Sequence, residues 1–575
     1  MLATCTPLLN GEVDDAELWS EDMGGSSPVK WVACWLVLTI AFAWSTAGLL
    51  SEWLGGEGSS SGDFLNHGII VAAASFLFAL SLLYIHDRTQ TDQPIQRMFP
   101  VLYWGRKASV TVGPLLRQYW FTNDLEEKPF NRVTRDWVYK TSRGESNNIG
   151  FGSQVDFDAV GTYHVLPALF KKDVGSEDTK KHKDGFSLTI GDREGVDHPV
   201  TMDHFVNISA MSFGSLSARA IESLNRGAKD ARILHNTGEG GLSPYHKSGG
   251  DVIFQMGTAK FGVRNDDSTL NDALLKELAS YEKVRMIEIK LSQGAKPGKG
   301  GMLLKEKITS EISSIRKVPM GKDVLSPPRH PEIDDVPSLF DFIDRVREIT
   351  KKPVGIKIVV GHMGEIEAIA EAMAAEPGRG PDYISVDGSE GGTGAAPLVL
   401  ASHAGLPMKQ SIAIVDYALR KHGVRDSVAV LSCGQIATPI DIVVAMALGA
   451  DAVYIARGFM LALGCIQALD CHSNHCPTGI ATQSKRRQKV LDIPAAASRV
   501  SMYAQALQKE VMLLTKSCGY TSPQQFTADD IMVVTSPGHL DYLSELHGVS
   551  AVEASIERTA AQKAGMTVGE MKMST

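Results

Sequence analysis

Cys465, Cys471 and Cys476 fall within twelve residues as C-x5-C-x4-C, and Pro477 follows at once. Thiolates this close together can hold one metal centre, and a proline after the last is common near iron–sulfur ligands. Zinc is the rival, since His472 or His475 would complete an ordinary three-cysteine, one-histidine site. Spacing alone leaves the two open. Seven cysteines in 575 residues are too few and too unevenly placed for a disulfide framework, which favours a reducing compartment and a metal role. Cys5, Cys34 and Cys518 read as ordinary thiols, and Cys433 has no assigned part.

A second set of residues could hold a phosphate. Leu431-Ser-Cys-Gly-Gln435 and Gly449-Ala-Asp-Ala-Val-Tyr-Ile-Ala-Arg-Gly458 each end an apolar run on a glycine or a small residue. Free backbone N–H groups at two matched strand ends, one before a helix, make an anion pocket. Gly434, Gln435, Ala456 and Arg457 are the expected phosphate ligands. A single glycine there would read as a tight turn, and it is the pair that decides. Upstream, Asp387-Gly-Ser-Glu-Gly-Gly-Thr-Gly394 mixes small residues with two carboxylates and can wrap closely over a planar ring. Lys357 stands mid-strand in Val354-Gly-Ile-Lys-Ile-Val-Val360, where a buried ammonium is costly unless paired. It could meet negative charge on a bound ring, or pair an acid inside the fold.

Short apolar strands alternating with helical stretches must position these groups. Eight are expected, near 204–209, 231–235, 252–256, 285–290, 354–360, 382–387, 427–433 and 451–455. Alternation of this kind predicts parallel βαβ units, and eight of them an α/β fold closed as a (β/α)8 TIM barrel. The chemistry-bearing clusters lie just after strand C-termini, where barrel enzymes keep their active sites.

Ahead of the barrel, 31–50 has no formal charge, and 68–85 follows after a Gly/Ser-rich turn. Each is long enough to cross a ~30 Å hydrocarbon core. A signal peptide starts with basic residues, whereas 1–29 carries six acids and no Lys or Arg. The expectation is a two-helix transmembrane hairpin. Basic residues on both flanks and none in 51–67 put the catalytic part in the cytoplasm. The expected organisation is an acidic cytoplasmic N-terminus over 1–29, the hairpin over 30–88 with membrane lipid as a partner, a pre-barrel segment over 89–199, the barrel over 200–530 and a C-terminal extension over 531–575. The net charge of −9, with Lys and Arg interspersed among acids, excludes general attraction for nucleic acid.

Four segments, Ser209-Ala-Met-Ser-Phe-Gly-Ser215, Asn236-Thr-Gly-Glu-Gly-Gly241, Ile289-Lys-Leu-Ser-Gln-Gly-Ala-Lys-Pro-Gly298 and Gly388-Ser-Glu-Gly-Gly-Thr-Gly394, resemble the FMN-binding central domain of glutamate synthase in this order. The resemblance runs from about residue 115 to about residue 530, and Arg117-Gln-Tyr-Trp-Phe-Thr-Asn-Asp124 is similar to the short membrane-associated relatives. It implies that Ala210, Met211, Ser212, Gln255, Lys357, Gly388, Gly391 and Gly392, with Ser209, Asp387 and Thr393, bind FMN. It implies a three-iron, four-sulfide (3Fe-4S) cluster on Cys465, Cys471 and Cys476. Lys296 and Arg316 match positions that contact 2-oxoglutarate, and Glu239 matches an acid beside them. Met302 departs from the family, standing where the larger enzymes have Gln.

The resemblance also implies an oxidoreductase that passes electrons from the cluster to FMN and reduces a 2-imino acid. No glutaminase part and no G-x-G-x-x-G unit is evident, so ammonia is expected from a separate subunit. Electrons are expected from ferredoxin, a reductase or a membrane carrier. The alternatives are an FMN and iron–sulfur electron-transfer protein with another acceptor, and a non-enzymatic receptor on a degenerate barrel.

Overall fold

The structure is a computed structural model that describes residues 61–153, 155–170, 185–548 and residue 552. It divides into two compact units, Met1–Glu127 and Lys128–Thr575. In the first, a 29-residue helix, Ser61–Thr89, is followed by the helices Pro94–Met98 and Leu102–Leu116. Its end is fixed by Asp87, whose buried carboxylate accepts from Gln96 Nε2 at 2.7 Å, the Val101 N–H at 2.8 Å and Trp104 Nε1 at 3.1 Å.

Among the described residues no helix is long and apolar enough to cross a membrane. This overturns the two-helix anchor, and with it the lipid partner, the membrane-anchored type and the topology that placed the barrel in the cytoplasm. The segment 31–50 lies outside the described residues. The segment 68–85 is the middle of the Ser61–Thr89 helix, closed in by His67 on one side and His86, Asp87 and Arg88 on the other.

In the second unit eight parallel strands close on themselves: β1 Val206–Ile208, β2 His235–Asn236, β3 Val252–Met256, β4 Val284–Lys290, β5 Val354–Ile358, β6 Tyr383–Asp387, β7 Ala429–Cys433 and β8 Ala452–Ile455. Each pairs with its sequence neighbours, and β8 closes on β1 through Val453 opposite Val206. All but Arg285 are buried, as strands covered on both faces must be, which is why most of them read as mainly apolar runs. Around them lie α1 Ala218–Ala231, α2 Asp272–Ala279, α3 Val336–Thr350, α4 Met363–Ala375, α5 Met408–Lys421, α6 Pro439–Ala447, α7 Arg457–Leu463 and α8 Ile493–Ser517. α1 starts on Ser217, which accepts the Ala220 N–H, and ends at Arg232 with φ +59. It lies so close to α8 that a Cβ on Gly227 would come within 2.6 Å of Val500. The second strand therefore begins later than its expected 231–235, because α1 and its left-handed cap occupy residues through 232.

The ribbon Leu188–Ile190 with Val200–Met202 belongs to the far end. Arg193, in its connection, donates to Asp382 at 3.1 Å just before β6, and Gly191 packs on Pro353 just before β5. That leaves the C-terminal strand ends for chemistry. A further sheet pairs Tyr163–Val165 antiparallel with Ile531–Ser536, which in turn pairs with His539–Tyr542.

Two fully buried histidines make the second unit acid-sensitive. His235 on β2 and His246 lie with ring centroids 5.3 Å apart, and neither His235 nitrogen nor His246 Nε2 has a partner. Burial depresses His235 to about 3 and His246 well below its usual value, so both are neutral in the fold. Unfolded, each takes up a proton near pH 6.5. Their stabilising contribution is complete above that value and falls as pH drops below it, by up to about 1.4 kcal/mol per pH unit for each, in the case of His235 until about pH 3. Urea unfolding at a series of pH values should show this fall, with a shallower slope in His235→Met. An unchanged slope in that variant would refute the assignment.

Candidate active site

The floor of the barrel is a polar knot. Glu288 of β4, fully buried, accepts from Asn236 Nδ2 at 2.8 Å and Gln255 Nε2 at 2.7 Å, and from the Ser385 hydroxyl. Gln255, expected beside a cofactor, thus has its amide committed to Glu288. Above it Lys357 Nζ stands 3.3 Å from Asp387 Oδ2, both buried. Burial opposes the charge on Lys357, but Asp387, with Cys433 and Glu288, outweighs it and holds the ammonium above its usual range. Asp387 also accepts the Gly294 N–H at 2.9 Å, and the Cys433 thiol donates to the Val386 carbonyl at 3.3 Å.

The mouth is built from backbone. Gly434 (φ +135) and Gln435 (φ +49) follow β7, and their N–H groups donate to no other group among the described residues. The Gln435 side chain is turned away and donates to the Pro129 carbonyl. Arg457, after Ala456 and at the start of α7, donates to the Glu390 carbonyl and lies 5.0 Å from the centre of the Phe130 ring. A Cβ on Gly392 would come within 2.6 Å of Arg457 Cδ, so glycine is needed where the β6 loop passes over it. The Glu390 carboxylate, held at 3.0 Å by the Met408 N–H, ties that loop to the start of α5. Gly388 and Gly391 sit inside the turn and Thr393 donates to Ala395 at 3.3 Å. The β1 loop supplies Ser209, Ala210, Met211 and Ser212, all but Ala210 buried; the Ser209 N–H donates to Ile455 at 3.0 Å and Ser212 Oγ to Ser215 at 3.0 Å.

Beside this lies a charged cluster. Glu239 is 3.1 Å from Lys290 Nζ, and Lys290 also donates to Gln293 Oε1 at 2.9 Å. Gln293 in turn donates to the Gly392 carbonyl at 3.2 Å, which joins the cluster to the β6 loop. Burial pushes the Glu239 carboxyl up, but Lys290, Lys296 and Arg316 together hold it below its usual range. Burial, aided by Lys290, lowers Lys296, and burial brings Arg316 down to about 10. Arg316 donates through Nη2 to the Phe213 carbonyl at 2.9 Å and lies over Phe261, while its Nε is buried without a partner, as is Ser326 Oγ.

Sequence reasoning missed Lys290 and His330 here. His330 donates from Nε2 to the Lys290 carbonyl at 2.9 Å, a tautomer fixed by that acceptor, and its Nδ1 is buried without a partner. Lys290 closes an apolar strand just as Lys357 interrupts one, and the same argument would have found it. His330 lies in a loop and leaves no such mark. Met302 is 39% exposed on a two-residue strand paired with Val324–Leu325.

The cysteine loop follows α7. Gln467, Leu469 and Asn474 all take positive φ, uncommon for side-chain-bearing residues and concentrated here within eight positions. Burial pushes Cys465 up to about 11 and Cys471 upward too. Burial acts the same way on Cys476, but hydrogen bonds from the Thr478 side chain and the Ala481, Thr478 and Ile480 N–H groups outweigh it and lower that thiol. Lys307, buried, donates to the Cys471 carbonyl at 2.6 Å and the Ala481 carbonyl at 3.3 Å. Among the described residues no three His, Cys, Asp or Glu side chains converge on a single metal ion.

Residues 171–521 match the family described as the conserved region in glutamate synthase. The glutamate synthase large subunit-like protein YerD of Bacillus subtilis is 36% identical over 510 residues, covering 83% of this chain and 96% of that protein. An archaeal-type glutamate synthase [NADPH] of Thermotoga neapolitana is 40% identical over 309 residues, 53% of this chain, and the match spans 57% of its length. Among solved structures, a mandelate oxidase with (S)-2-phenylpropionate aligns over 68% of this chain and 96% of that one at 15% identity, with a TM-score of 0.37, too slight a likeness to argue from. On the family match and on YerD, related almost from end to end, the chain belongs to the glutamate synthase family.

Proposed function

We propose that the barrel mouth binds FMN and reduces a 2-imino acid, formed from ammonia and a 2-oxo acid of which 2-oxoglutarate is the first choice. The observation that carries this is the cluster beside the mouth: three cations, Lys290, Lys296 and Arg316, surround one carboxylate, Glu239. Their two positive charges in excess match a dicarboxylate, and the unpartnered Arg316 Nε is a buried donor for it. Arg316 is partly spent on Phe213, which leaves Lys296 as the principal cation for substrate.

The residues fit the cofactor. Gly434 and Gln435, with Ala456 and Arg457, offer N–H groups and a guanidinium to a phosphate. Ser209 to Ser212 and Asp387, Gly388, Gly391, Gly392 and Thr393 would enclose ring and ribityl chain. FMN, when bound, supplies hydride transfer. Lys357, kept protonated by Asp387, presents fixed positive charge to the site, and Glu239 orients Lys290 and Lys296.

Cys465, Cys471 and Cys476 would hold an iron–sulfur cluster, which asks for thiolates around a wider body than one zinc ion does. The donors fit it: Cys476 is cradled by backbone N–H groups, and the Lys307 ammonium lies among the thiols. Cys471→Ser should lose iron while keeping most of the flavin, measured by metal analysis and absorbance. Stoichiometric zinc in the anaerobic parent would end the cluster assignment.

The test of function is to mix anaerobically reduced protein with 2-oxoglutarate and ammonium. Flavin reoxidation is expected, slowed by about tenfold or more in Lys296→Ala, since loss of one charged hydrogen bond is worth about 1.5–3 kcal/mol. If no 2-oxo acid reoxidises or perturbs the flavin, the chain is an electron-transfer protein with another acceptor.

A further inference from the structure

Lys307, in the turn Lys305–Lys307, is a buried ammonium with no carboxylate within ion-pair distance among the described residues. Its Nζ donates instead to the Cys471 carbonyl at 2.6 Å and the Ala481 carbonyl at 3.3 Å. Three other buried lysines are paired: Lys260 lies 2.9 Å from Glu332, Lys290 3.1 Å from Glu239 and Lys357 3.3 Å from Asp387. A charge taken out of water without a counter-ion is costly, so negative charge belongs beside Lys307. The groups that supply it are Cys471 and Cys476 and, more weakly, Asp470.

The turn that carries this ammonium is itself held in place. The Lys305 N–H donates to Asp323 at 2.7 Å, the Lys307 N–H to the Leu304 carbonyl at 2.9 Å, and Asn474, between Cys471 and Cys476, donates from Nδ2 to the Glu306 carbonyl at 3.4 Å. A tie between two segments needs no charge. Gln483 joins the end of the cysteine loop to the β1 loop with a neutral amide, donating to the Gly214 and Leu216 carbonyls at 3.0 Å each. Lys307 gives two of its three ammonium hydrogens to carbonyls, and the third is unspent among the described residues.

We propose that Lys307 is a positioning residue for the cluster, whose fixed positive charge holds it in the cysteine loop and favours its reduced form over its oxidised one. This rests on the reading that Cys465, Cys471 and Cys476 hold an iron–sulfur cluster. Uptake of one electron there adds one negative charge and makes or breaks no bond. In a site shut off from water, a fixed ammonium acts on that added charge more strongly than a surface cation does. Net charge and hydrogen bonding around the sulfurs are levers that set such a potential, and Lys307 brings both. It places the potential higher than the thiolates alone would, so that the cluster is easier to fill.

The experiment uses the full chain, prepared without oxygen, and two variants. Lys307→Gln keeps amide hydrogens for the carbonyls and drops the charge, whereas Lys307→Arg keeps both. Iron is counted in each protein. The cluster's midpoint potential is then read by electron paramagnetic resonance during titration with dithionite and redox mediators, with no substrate present.

At a given applied potential the ratio of reduced to oxidised cluster should be about tenfold lower in Lys307→Gln than in the parent, which for a one-electron couple is a fall of about 59 mV. Lys307→Arg should stay near the parent. Loss of iron from Lys307→Gln, with iron kept in Lys307→Arg, would also support the proposal, because charge would then be needed to hold the cluster at all. A parental potential in Lys307→Gln would overturn it. So would a Lys307→Arg variant that lacks iron or is shifted as far as Lys307→Gln, since the charge would then not be the cause. A parent free of iron would bring down the cluster reading itself, whereas an iron-loaded parent with an unmoved Lys307→Gln brings down only the role of Lys307.

Discussion

Lys357→Met is expected to yield a protein without bound flavin that unfolds at markedly lower denaturant than the parent. Lys357 and Asp387 form a buried pair at 3.3 Å, and removing Lys357 leaves Asp387 a buried charge with only the Gly294 N–H to offset its lost hydration. Breaking such a pair costs about 3–5 kcal/mol, far more than an intact one contributes over an apolar substitute. The double variant Lys357→Met/Asp387→Asn separates structure from chemistry. Both charges are then gone and the Gly294 N–H keeps an oxygen to donate to, so most of the stability should return. Flavin binding should not, since no fixed positive charge remains at the end of β5. Denaturant titration and flavin absorbance read the two effects apart. A single variant that keeps its flavin and its parental midpoint would show the pair to be incidental.

Gly294→Ala should be nearly as damaging through geometry alone. A Cβ there would lie 1.9 Å from the Gly388 carbonyl oxygen, and backbone cannot turn aside as a flexible side chain can. Either the β4 loop or the β6 loop must move, and the Gly294 N–H bond to Asp387 goes with it. Overpacking with the loss of a hydrogen bond to a charged group costs about 3 kcal/mol or more. Because the two loops carry Lys296 and Gly388–Gly394, flavin retention and 2-oxo acid affinity should fall together. Lys296→Ala should lower the second alone. Unfolding of Gly294→Ala at the parental midpoint would mean that the two loops are not in contact as described.

The barrel was legible because parallel strands buried on both faces leave mainly apolar runs, and the turn residues after them mark the C-terminal ends. The second strand was the weak point. It is two residues long, His235–Asn236, and α1 runs to within a few residues of it, so the boundary rests on Arg232 accepting a left-handed conformation, which side-chain chemistry does not announce. Lys357 stood out because a charge inside an apolar strand is costly. The partnership of Lys290 with Glu239, and of Lys307 with the cysteine loop, joins segments 51 and 164 residues apart and has no local signature. The membrane hairpin failed for the complementary reason. Hydropathy reports that 68–85 is apolar, but not that the helix is closed off by a buried Asp87 with three donors.

The sheet that pairs Tyr163–Val165 with Ile531–Ser536 sets the order in which the molecule can be completed. Tyr163 meets Val533, 370 residues later, and the entire barrel lies between them. On the ribosome, residues 163–165 emerge long before their partner exists, and they must wait unpaired while eight strands are made and closed. Contacts at such sequence separation are paid for in chain entropy before they return anything, so this seam forms last and opens first. Hydrogen exchange should find the amides of Val533 and Val534 protected less than those of Val430 or Val453 in the barrel wall. A nascent chain stalled before residue 531 would carry a closed barrel with its leading strand still bare, an edge open to another chain's backbone.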